Sequence, residues 1–283
     1  VQMQPRTHPQ TAPQPPRSAL GVWLRPLAQF ERGEDWRLTT LHDRKDYLVI
    51  WLTKGQGRVI LAGQRRGIAT HTALMIPPDT LFSMDLMRNS GAQVLTVPAD
   101  LAVDLALPHR PHLLRLREGQ DQAEMTHRLD AIHREQASPL PHASDALKAH
   151  IALLSVALRR YLDATDPAPR PSASVRLSEA YCALITQHYA SGMGVSEYAR
   201  MLGVTTPHLT RSCKQAAGLT AAAILSDRAL YAARDLIERS DMPISTIAAE
   251  LQFGTAAYFS RFVTKHTGHA PSSLRKRATH KFT

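Results

Sequence analysis

Residues 195–220, VSEYARMLGVTTPHLTRSCKQAAGLT, and residues 244–270, ISTIAAELQFGTAAYFSRFVTKHTGHA, are versions of one another. Their tail halves align at an offset of 50, with His208, Leu209, Thr210 and Arg211 on Tyr258, Phe259, Ser260 and Arg261, and Gly218 on Gly268. Their front halves align at an offset of 49, with Val195, Ala199 and Leu202 on Ile244, Ala248 and Leu251. One residue has therefore been added in the turn of the second copy. Each copy reads as two short helices joined tightly, a helix-turn-helix.

The residue chemistry supports this. Val195, Tyr198, Ala199 and Leu202 fall on one helical face, with a small residue where two helices must cross. Gly203 suits a left-handed turn. Thr206 is expected as N-cap and Pro207 at the first helical position, where its missing N–H costs nothing. Leu209 and Cys213 face inward. In the second copy Gly254 is expected in the turn, Thr255 as N-cap, and Tyr258, Phe259 and Phe262 as anchors. The second helix of such a unit enters the major groove with its N-terminal half, where arginine can grip guanine O6 and N7. The base-reading side chains are then Pro207, Thr210 and Arg211, and Ala256, Ala257, Ser260 and Arg261. Thr206, His208, Lys214, Thr255 and Lys265 are expected on phosphates. Between the copies, Thr220–Ser240 reads as one helix of ~30 Å, close to the ~34 Å between successive major-groove faces. The expected partner is double-stranded DNA.

At this point residues 175–277 resemble the DNA-binding domain of the AraC/XylS family of transcription regulators. The resemblance is most specific over FGTAAYFSRFVTKHTGHAPSSLRKR, 253–277, with Phe253-Gly254, Tyr258-Phe259-Ser260-Arg261, Gly268, Pro271 and Arg275 in place. Cys213, Val263 and Thr267 stand where the family has aromatics. Ala256 and Ala257 leave the tip of the second reader almost bare, able only to touch thymine methyls.

Composition agrees. Lys and Arg number 34 against 24 Asp and Glu, a net of +10. Residues 175–283 hold 13 basic and 7 acidic side chains, and Arg275, Lys276, Arg277 and Lys281 cluster at the end. Such a surface favours polyanions. The two cysteines, Cys182 and Cys213, are too few for a disulfide framework and fit a reducing cytoplasm. The Pro/Gln-rich start, residues 1–19, reads as a disordered lead without a signal-peptide core. No apolar run reaches membrane-spanning length, so no membrane partner is expected.

Residues 20–118 read as a small antiparallel β-barrel. Apolar segments at 47–53, 58–62, 73–76, 81–86 and 93–97 alternate with turn signals. DYLVIWLTKGQGRVILAGQ (46–64) and LMIPPDTLF (74–82) resemble the cupin-like sensor domain found in the family, especially in its aromatic-acid-responsive branch. A metal-dependent cupin needs a His-x-His pair, a carboxylate and a later histidine. His42 is followed by Asp43-Arg44 and His71 is isolated, so no metal, no cofactor and no catalytic residues are expected, and no enzyme. An effector site would draw on His42, Arg44, Trp51 and Phe82, with Arg44 gripping a carboxylate and the two rings enclosing a flat, anionic or aromatic metabolite. Equally, Trp51 and Phe82 could be ordinary core.

Residues 119–163 form two helices. Leu147, Ile151, Leu154, Leu158 and Tyr161 step by 3 and 4 on the second, a coiled-coil-like seam. The seam could pack within the chain, but the resemblance favours a homodimer. A linker at 164–174 then leads to the reader at 175–283. The reading is an α+β chain: a cupin-like barrel with a helical dimerisation segment, then an all-α double helix-turn-helix domain. The family implies an effector-controlled cytoplasmic regulator, an activator rather than a repressor, with room for a contact to RNA polymerase. Two alternatives stay open: a barrel that only dimerises, or a cupin enzyme fused to a DNA reader.

Overall fold

The structure, a computed structural model, describes residues 18–31, 34–165 and 170–281. Most of the expected disordered lead and part of the expected linker lie outside the described residues. The chain divides into two compact units. One comprises Arg17–Tyr189 with Met193–Arg228, and the other Ala229–Thr283 with Ala190–Gly192. The first helix-turn-helix copy falls in the same unit as the sheets.

Eight strands build that larger unit: β1 (Trp23–Pro26), β2 (Tyr47–Lys54), β3 (Gln56–Leu61), β4 (Gln64–Ala69), β5 (Thr72–Ile76), β6 (Phe82–Leu86), β7 (Gly91–Val97) and β8 (His112–Arg115). Short helices α1 (Leu27–Glu31), α2 (Trp36–Thr39) and α3 (Ala99–Asp104) fill connections. The larger sheet runs β1-β7-β2-β5-β8 and the smaller β4-β3-β6, with every pair antiparallel. β1, β4 and β8 were not anticipated. β1 ends in Pro26, which is tolerated because the strand is an edge. β4, QRRGIA, is too polar to show an alternation.

Strand β2 explains the layering. Its first six residues are buried on both faces. Leu48, Ile50 and Leu52 point into the space between the sheets, where Val59, Leu61, Ile68, Phe82 and Met84 meet them. Tyr47, Val49 and Trp51 point the other way, towards α4 (Gly119–Gln136) and α5 (Ala143–Asp163). This is the period-2 rule acting on a central strand covered on both sides.

The α5 seam is spent here. Leu147, Ile151, Leu154 and Leu158 are at most 1% exposed and belong to the same cluster as Val49 and Trp51. Tyr161 donates its hydroxyl to Glu124 of α4 at 2.9 Å. Exposing four such side chains would cost on the order of 6 kcal/mol or more. The expectation that they form a dimer interface is therefore corrected: the stripe is internal core.

The rest of the larger unit is helical: α6 (Ala173–His188), α7 (Val195–Met201), α8 (Thr206–Ala217) and the start of α9 (Ala221–Arg239). Their core joins the sheets. Tyr181, Cys182, Ile185, Tyr198, Leu209 and Cys213 form one buried cluster with Leu41 and Leu81 from the sheet connections. In the second unit, α10 (Ile244–Glu250), α11 (Ala256–Thr267) and α12 (Pro271–Lys281) follow the end of α9.

Candidate nucleic-acid interface

Both copies fold as helix–turn–helix pairs, and the turns show where they differ. In the first, Gly203 is left-handed at φ +67, and the Val204 amide donates to the Ala199 carbonyl at 2.9 Å. In the second, the matching amide of Phe253 donates to Ala248 at 2.8 Å, and the left-handed residue is Gln252 at φ +55. Gly254 is thus the added residue; it lies in the turn, but the left-handed position there is taken by Gln252. A non-glycine residue there costs roughly 1–2 kcal/mol.

The start of α8 also needs correction. The N-cap is Thr205, whose hydroxyl accepts from the His208 amide, so Thr206 is the first helical residue and Pro207 the second. Pro207 still loses nothing, because the first helical amides lack partners in any case. Thr255 caps α11 as expected and accepts from the Tyr258 amide at 3.1 Å.

The outward faces carry the side chains expected to read DNA. On α8, Pro207, His208, Arg211 and Lys214 are exposed, and Thr206 and Thr210 half-buried. Of these, Thr206 and His208 border an open hollow of about 630 Å³, together with Ser196, Arg200 and Thr205. On α11, Ala256, Ala257, Arg261 and Lys265 are exposed and Ser260 half-buried. Arg211 and Arg261 each stand one turn into their helices, with no acidic partner among the described residues. A guanidinium so placed can chelate a guanine edge.

The anchors beneath differ from expectation in one place. Leu209 and Cys213 are fully buried in the first copy, and Phe259 and Val263 in the second. Phe253 stacks edge-on against Phe259 at 5.1 Å and tilts against Phe262 at 5.0 Å. Tyr258, expected as an anchor, is 56% exposed. Its partner in the first copy is the exposed His208, so the position faces outward in both.

Arg200 was not anticipated. It lines the hollow, but its counterpart at an offset of 49 is Ala249, so the repeat gives no signal for it. Arg275, counted in the terminal basic cluster, is pinned instead. It donates to the carbonyls of Ile237 at 3.2 Å and Met242 at 2.6 Å, closing the end of α9. Lys276 and Arg277 stay exposed, while the Lys281 side chain lies outside the described residues.

The four residues expected around an effector do not converge. Trp51 faces α4, with its indole N–H 3.4 Å from the Thr126 hydroxyl. Phe82 lies between the sheets, so the two rings cannot enclose one ligand. His42 is fully buried, tilts over Phe82 at 4.2 Å and hydrogen-bonds through Nδ1 with the Thr40 carbonyl at 2.9 Å. Burial holds its pKa down to about 3, aided by the positive charge of Arg44 and Arg228, so at neutral pH it offers no charge to an anion. Arg44 rests its guanidinium 4.8 Å from the centre of Phe30. A cleft of about 680 Å³ lies elsewhere, at the mouth between the sheets. Ile68, Leu86 and Leu113 give it an apolar lining, and its charged residues are Arg58, Asp85 and Arg115. Among the described residues no group of three His, Cys, Asp or Glu side chains is arranged to hold a metal ion, and no helix is long and apolar enough to cross a membrane. The cysteines are buried; burial pushes the Cys213 thiol up to about 11 and the Cys182 thiol higher still.

Comparison with known proteins gives the same region a context. A family of helix-turn-helix domains matches residues 198–277. The arabinose operon regulatory protein of Escherichia coli is 29% identical over 126 residues, 44% of this chain and 43% of that protein. Its counterpart in Salmonella typhimurium is 28% identical over 126 residues, 44% of each chain. The match therefore spans less than half the length of these relatives. Among solved structures, ToxT from Vibrio cholerae aligns over 91% of this chain and 97% of its own, with 13% identity and a TM-score of 0.43. The C-terminal domain of AraT, a response regulator from Geobacillus stearothermophilus, aligns over 38% of this chain and 88% of its own, with 26% identity and a TM-score of 0.35.

Proposed function

We propose that this chain is a transcription regulator of the AraC family, and that it binds double-stranded DNA in a sequence-specific way and activates transcription; the helix-turn-helix match over residues 198–277 and the 29% identity to the arabinose operon regulatory protein support the reading. One observation carries the reading. Two helix-turn-helix pairs each present an exposed arginine, Arg211 and Arg261, in the reading half of the second helix. Arg211→Ala and Arg261→Ala should each cost ~1–3 kcal/mol at the cognate site and leave random-sequence binding almost unchanged. Equal losses on both kinds of DNA would move these side chains to the backbone, and no binding by the parent chain would end the reading.

Control by a small molecule is the second half of the proposal. The mouth between the sheets suits a ligand with an apolar body and an anionic group, because its lining joins Ile68, Leu86 and Leu113 to Arg115, while Arg58 stands opposite Asp85 across β3 and β6. A thermal-shift screen of small carboxylates tests this. A rise in melting temperature that disappears in Arg115→Ala supports the cleft, and no rise with any anion removes the effector. The family context further proposes a cytoplasmic homodimer that contacts RNA polymerase. Sedimentation of the purified chain tests the dimer, which would have to use a surface other than the buried α5 stripe.

A further inference from the structure

We propose that Arg65, on strand β4 of the smaller sheet, extends the DNA-contacting surface of the first reader, so that the sheet region itself neutralises a phosphate of the bound duplex. The inference rests on the DNA-binding reading and goes beyond it, since the sheets otherwise serve only as sensor and support.

The geometry starts at the turn between β3 and β4. Gly63 sits against α6, where Ser178 donates its hydroxyl to the Gly63 carbonyl at 2.7 Å, out of contact with water. A methyl group built on Gly63 would lie 2.7 Å from the Ser178 carbonyl oxygen and 2.9 Å from Cys182 Sγ. The hairpin tip is therefore fixed on the helix, and only glycine lets it come so near. Two residues on, Arg65 crosses the end of α8. A methyl group on Gly218 would lie 3.1 Å from Arg65 Nη1 and 3.5 Å from its Cδ, so the absent side chain of Gly218 is what makes room.

Arg211, Lys214 and Gly218 step by 3 and then 4 residues and follow one stripe of the helix. Arg65 adds a third cation to that stripe. None of Arg65, Arg211 and Lys214 has an acidic partner among the described residues. The neighbouring Arg66 points to the other face of the strand. There its Nε donates to Gln64 at 2.9 Å, and its charge acts on Glu179. The contrast within one strand matters: one arginine is occupied by the fold, and the next is left in line with a reading helix. A row of uncompensated cations is the footprint of a polyanion. The competing role for Arg65, complementing the carbonyl end of α8, is purely structural.

The two roles separate in salt. Binding of the full chain to a random-sequence duplex and to a cognate fragment is measured by fluorescence anisotropy for the parent, Arg65→Ala, Arg65→Lys and Lys214→Ala. Each phosphate contact contributes ~0.9 to the slope of log affinity against log salt. Arg65→Ala should lose about one such contact on both duplexes, so its deficit relative to the parent shrinks about threefold between roughly 50 and 200 mM salt. Arg65→Lys should keep the slope. An unchanged slope in Arg65→Ala overturns the proposal, whether or not the melting temperature falls. If the slope drops in Lys214→Ala alone, the DNA reading stands and the inference about Arg65 fails. If the parent binds neither duplex, both fail together.

Discussion

The two helix-turn-helix copies share one plan and are stabilised by different means. The first borrows its core. Leu209 and Cys213 are continuous with Tyr181 and Cys182 on α6 and with Leu41 and Leu81 from the sheet connections. A buried ion pair adds to this, Arg228 Nε to Asp43 Oδ1 at 2.5 Å, and Asp227 accepts from the Leu41 amide at 3.2 Å. The second copy brings its own filling, with Phe253, Phe259 and Phe262 in ring contact where the first copy has Val204, Leu209 and Ser212. Duplication therefore preserved the outward pattern while the inward pattern drifted to suit each neighbourhood. It also means that strain in the sheets can reach the first reader through packed side chains.

The largest test of this difference is Asp43→Ala. Both partners of the Asp43–Arg228 pair are less than a tenth exposed, and Arg228 also lies 3.6 Å from the centre of the Tyr189 ring. Removing the carboxylate takes the Asp43 charge away from a buried guanidinium and should cost ~3–5 kcal/mol. Chemical denaturation measures the loss. Hydrogen exchange should show it in α6, α7 and α8 together with the sheets, while α11 and α12 keep their protection. A loss below ~1 kcal/mol would mean that the first copy does not depend on the sheets in this way.

A smaller effect checks what the copies have in common. Thr205 and Thr255 cap their helices in the same manner, each accepting from the amide three residues on. Thr205→Ala and Thr255→Ala should each cost ~1 kcal/mol by thermal or chemical unfolding. Thr206→Ala should cost less than ~0.5 kcal/mol, because Thr206 is already inside the helix. If Thr206 proved the more costly position, the cap as first read from sequence would be right.

How much of this could be read without coordinates depends on whether a signal was local. The two copies and their added residue follow from repeat and period, and both copies fold as helix pairs with Arg211 and Arg261 exposed. The strands of β2, β5 and β7 were visible because apolar runs between turn residues need no distant partner to be recognised. What failed was non-local. The α5 stripe has the spacing of a dimer seam, yet the same spacing serves packing on a sheet, and only the sheet decides. Trp51 and Phe82 suggest one binding site by residue type, yet Trp51 is on the face of β2 turned to α4 and α5, while Phe82 of β6 fills the space between the sheets. Arg65 and Arg228 carry no local pattern at all. Each matters through a neighbour more than 150 residues away, Gly218 for one and Asp43 for the other.

The smallest expected effect concerns the residue most plausibly misjudged from its type. Tyr258 is aromatic and precedes a buried Phe259, which makes it look like a second anchor. Adjacent residues are about 100° apart around the helix axis, and here only one of the two is turned inward. Phe259 takes the inward direction, and Tyr258 keeps only a tilted contact with Phe253 at 5.9 Å. Tyr258→Ala should therefore change stability by no more than ~0.5 kcal/mol. His208→Ala in the first copy should behave alike, since the two positions match at the same offset. A drop of more than ~1 kcal/mol for Tyr258→Ala alone would show that the second copy's aromatic filling reaches out to its surface. The two readers would then differ in their outer faces as well as their cores.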